Sequence, residues 1–273
     1  MTYADVNGLS LAYQEHGSVG AAGDSDGDGA AAPTLILLHG GLGSGDTFEP
    51  LLPELTKARR VVTVDLQAHG RTADVDRPLR FESMADDIGA LIARLGPGPV
   101  DVLGYSLGGG VALRTVIQYP ALVRRLVLVS TPCRYDAFFP EVAAATGQMT
   151  AELAEMMKQA PIYQAYAQLA PRVEDWPVLV AKTGALVSSE YDWTAEAAAI
   201  TAPTLLAYAD ADSFSPASMV EFYGLLGGGQ RDAGWEGSGL PPRSPSQLAI
   251  LPGTSHYDII LSPALLAAVV AFL

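Results

Sequence analysis

Short apolar runs alternate with longer amphipathic stretches along most of this chain. Runs at 9–15, 34–38, 60–64, 100–103, 126–129, 204–208 and 248–251 predict strands. Most are apolar throughout, as a parallel strand covered on both faces must be. Helices are expected in the gaps, at about 47–57, 81–95, 108–119, 216–226 and 263–272. Right-handed crossovers between such units build a mostly parallel, doubly wound sheet whose strand ends collect loops along one carboxyl edge.

From 132 to 200 the pattern changes to short helices separated by prolines. Leu153, Met156, Met157 and Ala160 fall at helical spacing, and Ile162, Tyr166 and Leu169 repeat it after Pro161. Phe138, Phe139, Tyr163 and Trp176 add aromatic surface. This segment, 132–200, is expected to form a helical insert between 1–131 and 201–273. Its methionines, Met149, Met156 and Met157, would suit a loosely specified apolar group, because a thioether chain conforms to varied shapes.

Two loops interrupt the frame. The stretch 17–33, rich in Gly, Ala and Asp, reads as a solvated extension of a β-hairpin connection. Inside it Asp24, Asp26 and Asp28 copy the first half of a calcium loop, but Leu35 stands where the bidentate glutamate belongs, so no metal is expected. The second loop, 227–247, holds Trp235 among glycines and prolines, and either disorder or packing beside the site fits it.

Composition narrows the partners. Of 273 residues 49% are hydrophobic, enough for a sizeable core, and the formal net charge is −14. Such a charge argues against nucleic acid, an anionic membrane surface or a polyanionic substrate as partner. A single cysteine, Cys133, forbids an internal disulfide and reads as a small packed residue. The first residues lack a basic region followed by an apolar one, and the longest apolar run, 264–273, is too short to span a bilayer. A cytoplasmic protein is therefore the expectation, as monomer or homodimer.

The chemistry begins at Gly104-Tyr105-Ser106-Leu107-Gly108, which closes one apolar strand and opens a helix. At that corner a serine takes a strained conformation with its oxygen projecting from the sheet edge, and the amides at the helix start point at the same space. A hydroxyl needs a base to attack, and an imidazole titrates near working pH. Of the four histidines, His16 lies in an early strand, His39 in His39-Gly40-Gly41-Leu42-Gly43 and His69 in a loop; only His256 follows the last predicted strand. Asp210 and Asp212 leave the end of the strand before it.

Serine elbow, glycine-rich loop, acid and histidine, in this order, resemble the α/β-hydrolase fold serine hydrolases, and among them the capped esterase-like members. The resemblance covers nearly all of the chain. It implies an α/β class protein with the α/β-hydrolase fold, a mostly parallel, doubly wound eight-stranded sheet with a helical cap inserted after strand six, so that 1–131 and 201–273 form the catalytic domain and 132–200 the cap. In similar hydrolases the acid stands three residues after a strand-ending glycine and four before a proline. Ala209, Asp212 and Pro216 match that pattern with Ala for Gly, which favours Asp212 over Asp210. The implied triad is Ser106, Asp212 and His256, with the backbone amides of Gly41 and Leu107 as oxyanion donors. Leu42, Tyr105, Phe138, Met149, Met156, Met157, Tyr163 and Phe214 are the candidate pocket residues.

The expected activity is cofactor-independent cleavage of a small apolar carboxylic ester through an acyl-enzyme. Serine in the elbow, where dehalogenases and epoxide hydrolases of similar fold carry aspartate, argues for acyl transfer. A lactone, amide or β-diketone carbon–carbon bond is an alternative substrate, and a slow-turnover ligand receptor is an alternative of another class.

Overall fold

The computed structural model describes residues 1–17, 33–232, 234–235 and 244–273. Eight strands form one sheet in the order β1-β2-β4-β3-β5-β6-β7-β8. They are β1 Thr2–Val6, β2 Leu9–His16, β3 Leu35–Leu38, β4 Val61–Val64, β5 Val100–Tyr105, β6 Val123–Val129, β7 Thr204–Ala211 and β8 Gln247–Ser255. From β4 to β8 neighbouring strands run parallel, whereas β2 lies antiparallel to both β1 and β4.

Ten α-helices accompany them among the described residues: α1 Leu52–Leu55, α2 Phe81–Leu95, α3 Leu107–Gln118, α4 Pro140–Thr146, α5 Ala151–Met156, α6 Pro161–Leu169, α7 Trp176–Val187, α8 Thr194–Ala197, α9 Pro216–Leu225 and α10 Pro263–Phe272. None is long and apolar enough to cross a membrane.

The continuous apolar strands serve two cores at once. Ile36 and Leu38 of β3 join Met84, Ile88, Val111 and Leu113 of α2 and α3 on one side of the sheet. Leu35 and Leu37 face the other side, against Phe48, Leu51 and the α10 residues Leu265, Val269 and Phe272. Successive side chains of a strand point to opposite faces, so a doubly covered sheet requires apolar residues at every position.

Three expectations are corrected. The strand β1 is absent from the predicted set because its burial alternates and three of its five residues are exposed, leaving no apolar run to find. It forms the hairpin with β2 through Asn7-Gly8, whose φ values of 48° and 81° are those a two-residue turn between antiparallel strands demands. The 17–33 stretch is therefore not a hairpin connection, because β4 stands between β2 and β3. The calcium-like sequence within it lies outside the described residues. Finally, the helix expected at 47–57 is a 3-10 turn, Gly45–Phe48, followed by the short α1. Pro50 and Pro53 explain the break: neither has an amide to donate, so no helical bond can close on either.

Helices α4 to α8 lie between β6 and β7. Trp176 is fully buried, and its indole N–H donates to the Ala154 carbonyl at 2.9 Å, locking α7 to α5. Leu42 and Ala68, from loops after β3 and β4, enter the same apolar cluster as Ala154, Tyr166, Leu179 and Val180. Lys182 of α7 adds a polar tie, donating to the Asp74 carboxylate at 2.6 Å and to the Arg77 carbonyl at 2.7 Å.

Helix α3 crosses β5 and β3 backbone to backbone. A Cβ on Gly104 would overlap the Gly108 carbonyl, and one on Gly108 would overlap the carbonyls of Leu38 and His39. Backbone cannot yield as a flexible side chain can. Gly104→Ala should lower stability by about 1–3 kcal/mol, measured by the urea midpoint, while an unshifted midpoint would show slack in this crossing.

Candidate active site

At the carboxyl end of β5 the chain turns abruptly into α3. Ser106, the residue between them, has φ 53° and ψ −119°, a conformation that costs a non-glycine residue roughly 1–3 kcal/mol. Surrounding bonds hold it there. Its amide donates to the Val129 carbonyl at 2.9 Å, while its own carbonyl accepts from Gly109 and Gly110 at 2.9 and 3.1 Å and from the Thr131 hydroxyl at 3.1 Å.

The structure brings Ser106, His256 and Asp212 into one hydrogen-bonded row. Ser106 Oγ lies 2.9 Å from His256 Nε2, and His256 Nδ1 lies 2.8 Å from Asp212 Oδ1. An ionised carboxylate only accepts, so the imidazole proton sits on Nδ1 and leaves Nε2 free to accept from the serine hydroxyl. Asp212 follows β7 directly, with a fully buried side chain. It also accepts from the Ser130 hydroxyl at 2.6 Å and from the amides of Ala209 and Ser213 at 3.0 and 2.8 Å. Burial pushes its carboxyl up, but the bonds from His256, Ser130 and Ala209 outweigh that and hold it below the ordinary 3.8.

Asp210 does something else. Exposed at the end of β7, it accepts from the amides of Gly253 and Thr254 at 2.9 and 3.1 Å, and these bonds hold its carboxyl below the usual range. It braces the turn that carries His256. Ser130 was not singled out from the sequence. Its only sequence signal is its place at the end of β6, beside the strand that delivers Asp212.

The glycine-rich loop after β3 is held from beneath by His39, which is fully buried. His39 Nδ1 donates to the Gly40 carbonyl at 2.7 Å, and the Leu66 amide donates to Nε2 at 3.1 Å. Burial lowers the pKa of this ring below the ordinary 6.5. A Cβ built on Gly40 would stand 3.4 Å from Ser106 Cβ, and one on Gly41 3.5 Å from Leu107 Cδ1, so the loop lies against the elbow. Leu107 opens α3, where a helical amide has no carbonyl one turn earlier to bond. The other histidines are structural: His16 meets Thr63 Oγ1 at 3.0 Å, and burial lowers His69 to about 3. Burial raises the Cys133 thiol to about 12, which leaves it protonated. Among the described residues no group of three or more His, Cys, Asp or Glu is placed to hold a metal ion.

A groove of about 470 Å³ runs beside the row. Leu42 and Tyr105 line it, with Gly40, Gly41 and Tyr257. The far wall comes from Ile162, Ala165, Tyr166 and Leu169 of α6. Five pocket candidates are placed elsewhere and one is turned outward. Met149, Met157 and Tyr163 pack behind the wall, in the cluster around Trp176. Phe138 and Phe214 pair with ring centroids 5.6 Å apart, and Phe214 buttresses His256 at 6.3 Å, behind the row. Met156 is 71% exposed. The fully buried Ala154 takes the inner face of α5, and a residue two positions on points about 200° away. The stripe 162, 166 and 169 was legible; which stripe faces the groove was not.

Residues 33–167 match the family described as alpha/beta hydrolase fold. Among curated relatives, an sn-1-specific diacylglycerol lipase of Mus musculus is 37% identical over 128 residues, 46% of this chain and 38% of the relative. A pimeloyl-[acyl-carrier protein] methyl ester esterase of Nitrosomonas europaea is 38% identical over 102 residues, 37% of this chain and 38% of the relative. The chain thus spans well under half the length of these relatives. Among solved structures, a thermophilic esterase from Thermogutta terrifontis superposes with a TM-score of 0.69 at 21% identity, covering 99% of this chain and 96% of that one. An enol-lactonase from Burkholderia xenovorans LB400 gives 0.70 at 21% identity, covering 99% and 98%. At that identity the two structures speak for the fold alone.

The lowered pKa of Asp212 has a sign that can be measured. A carboxylate with a depressed folded pKa contributes stability that is fully present above its unfolded value, here the ordinary 3.8, and is lost as pH falls through the lower folded value. Urea midpoints taken from about pH 5 to about pH 2 should show wild type losing its advantage over Asp212→Asn. A gap that stays constant across that range would mean that Asp212 is not held as a charged acceptor.

Proposed function

Because this chain is an α/β-hydrolase fold protein, we propose that it is a serine hydrolase cleaving small apolar carboxylic esters through an acyl-enzyme. The observation that carries this reading is the unbroken Ser106–His256–Asp212 row, at 2.9 and 2.8 Å, on a serine held in a strained turn.

In the proposed reaction Ser106 Oγ attacks the ester carbonyl while His256 Nε2 takes its proton. Asp212 keeps the ring in the required tautomer and stabilises the imidazolium that develops. The amides of Leu107 and Gly41 meet the negative charge on the carbonyl oxygen. Collapse of the tetrahedral species breaks the bond to the alcohol, which leaves with the proton from His256. Water, deprotonated by the same imidazole, then attacks the acyl-serine, and the acid departs as the proton returns to Ser106.

The helical insert 132–200 acts as the cap in this reading, with α6 supplying the apolar wall along which one arm of the substrate lies. Charge agrees with a neutral substrate, since a chain of net charge −14 repels an anionic one. No metal or cofactor enters the scheme.

Two experiments test this. Ser106→Ala should lower p-nitrophenyl ester hydrolysis by on the order of 10⁶, because triad members act as a unit, and a serine-directed phosphonate should label Ser106 alone. Undiminished turnover in that variant would end the esterase reading. Ala165→Trp fills the groove, so kcat/KM for long acyl esters should fall about tenfold or more while acetyl esters change little. An equal loss on both would place the acyl arm elsewhere.

A further inference from the structure

His256 stands on a turn, beyond the last ladder bond of β8, and both side-chain bonds that aim its ring belong to the reaction itself. The bond to Ser106 breaks as soon as the serine is acylated. In the acyl-enzyme the Asp212 bond alone then aims the ring, so a tether on the main chain of residue 256 would fix its reach through the second half of the cycle.

Three groups hold this turn. Asp210 takes the amides of Gly253 and Thr254, and the Asp258 carboxylate takes the amide of Ser255 at 2.6 Å. The third reaches residue 256 itself: the Tyr105 hydroxyl donates to the His256 carbonyl at 2.6 Å. Tyr105 is the last residue of β5 and the neighbour of Ser106, so this bond ties the base to the strand that presents the nucleophile.

We propose that Tyr105 is a positioning residue, whose hydroxyl tethers the main chain of His256 at a fixed reach from Ser106 through both acylation and deacylation. This rests on the serine hydrolase reading of the same site. The ring that carries the hydroxyl has little freedom. It is 9% exposed, packs within the cluster of Leu103, Val127 and Leu251, and would lie 3.1 Å from a Cβ on Gly40. Its centroid is 5.9 Å from that of His256. Burial raises the phenol to about 12, so it remains a donor at any working pH. Tyr105 also borders the groove, and a purely substrate-binding role is the competing account.

Tyr105→Phe removes the hydroxyl and keeps the ring. A lost hydrogen bond of ordinary strength corresponds to about a three- to tenfold fall in kcat, with KM essentially unchanged. The downfield proton resonance of His256 Nδ1 should exchange faster with solvent in this variant, which needs no substrate to observe. Placing p-aminophenylalanine at 105 restores a donor and should recover both readouts, which separates a tether from a general loss of packing. Tyr119→Phe, which removes an exposed hydroxyl bonded to Asp86, serves as the control that leaves kcat unchanged.

An unchanged kcat and an unchanged exchange rate in Tyr105→Phe would overturn the proposal. A rise in KM alone would also overturn it, making Tyr105 a substrate contact. Failure of p-aminophenylalanine to restore a folded but slow enzyme would overturn it as well. If Ser106→Ala keeps full turnover, the ester reading fails on its own, and the exchange measurement still decides whether the tether exists.

Discussion

The left-handed backbone at Ser106 is the constraint on which the rest of the site depends. It exists because β5 must stop and α3 must start within a single residue, which aims the hydroxyl off the edge of the sheet. That corner closes only if α3 can lie against backbone, and Gly104 and Gly108 provide the space. The carbonyl of Val129 on the next strand anchors the amide of the same residue. One geometric demand thus fixes the Ser106 hydroxyl, the start of the helix and the approach of the glycine-rich loop together. Leu107 and Gly41 end side by side because both are drawn to that corner.

A second demand follows from burying a carboxylate behind an imidazole. An isolated charge there would be costly, and desolvation alone would neutralise it. The protein surrounds Asp212 with donors from two strand ends and from its own turn: Ser130 from β6, Ala209 from β7 and Ser213 beyond it. A second buried carboxylate, Asp101 in β5, shows the contrast. It takes Arg124 at 2.6 Å and Arg59 at 3.3 Å, yet burial still leaves its pKa raised. Cations meet the Asp101 carboxylate, whereas neutral donors and the His256 ring meet that of Asp212.

Much of this was legible in the residue order, for a physical reason. Parallel strands covered on both faces must be apolar throughout, so their ends are sharp and the polar residues just beyond them stand out. Ser106 was located in this way, and Asp212 with help from a resemblance in spacing; His256 was found beyond the apolar run 248–251, although β8 is a half-exposed edge strand that continues to Ser255. What escaped depends on contacts between strands distant in sequence. Ser130 is an ordinary serine until β6 and β7 are neighbours. The Tyr105 hydroxyl meets a carbonyl 151 residues away. The edge strand β1 escaped for the opposite reason, since one half-exposed face erases the apolar run. Met156 shows the limit of helical periodicity: it finds a stripe but not which of two stripes turns inward when Ala154 claims the inner face.

The insert that shapes the groove is also tied to the machinery beneath it. Lys182 of α7 fixes that helix to the loop after β4 through Asp74 and Arg77. Its neighbour Thr183 comes so near the glycine-rich loop that a Cβ on Gly41 would lie 3.2 Å from its methyl group. A side chain at position 41 would therefore meet α7, so a glycine there lets the loop and this helix lie close together. The position of α7 thus bears both on the groove, through the α6 wall packed with it around Trp176, and on the glycine-rich loop. A chain segment with a weak sequence pattern is thus held against the Ser106 corner by specific contacts, without contributing any group to the Ser106–His256–Asp212 row.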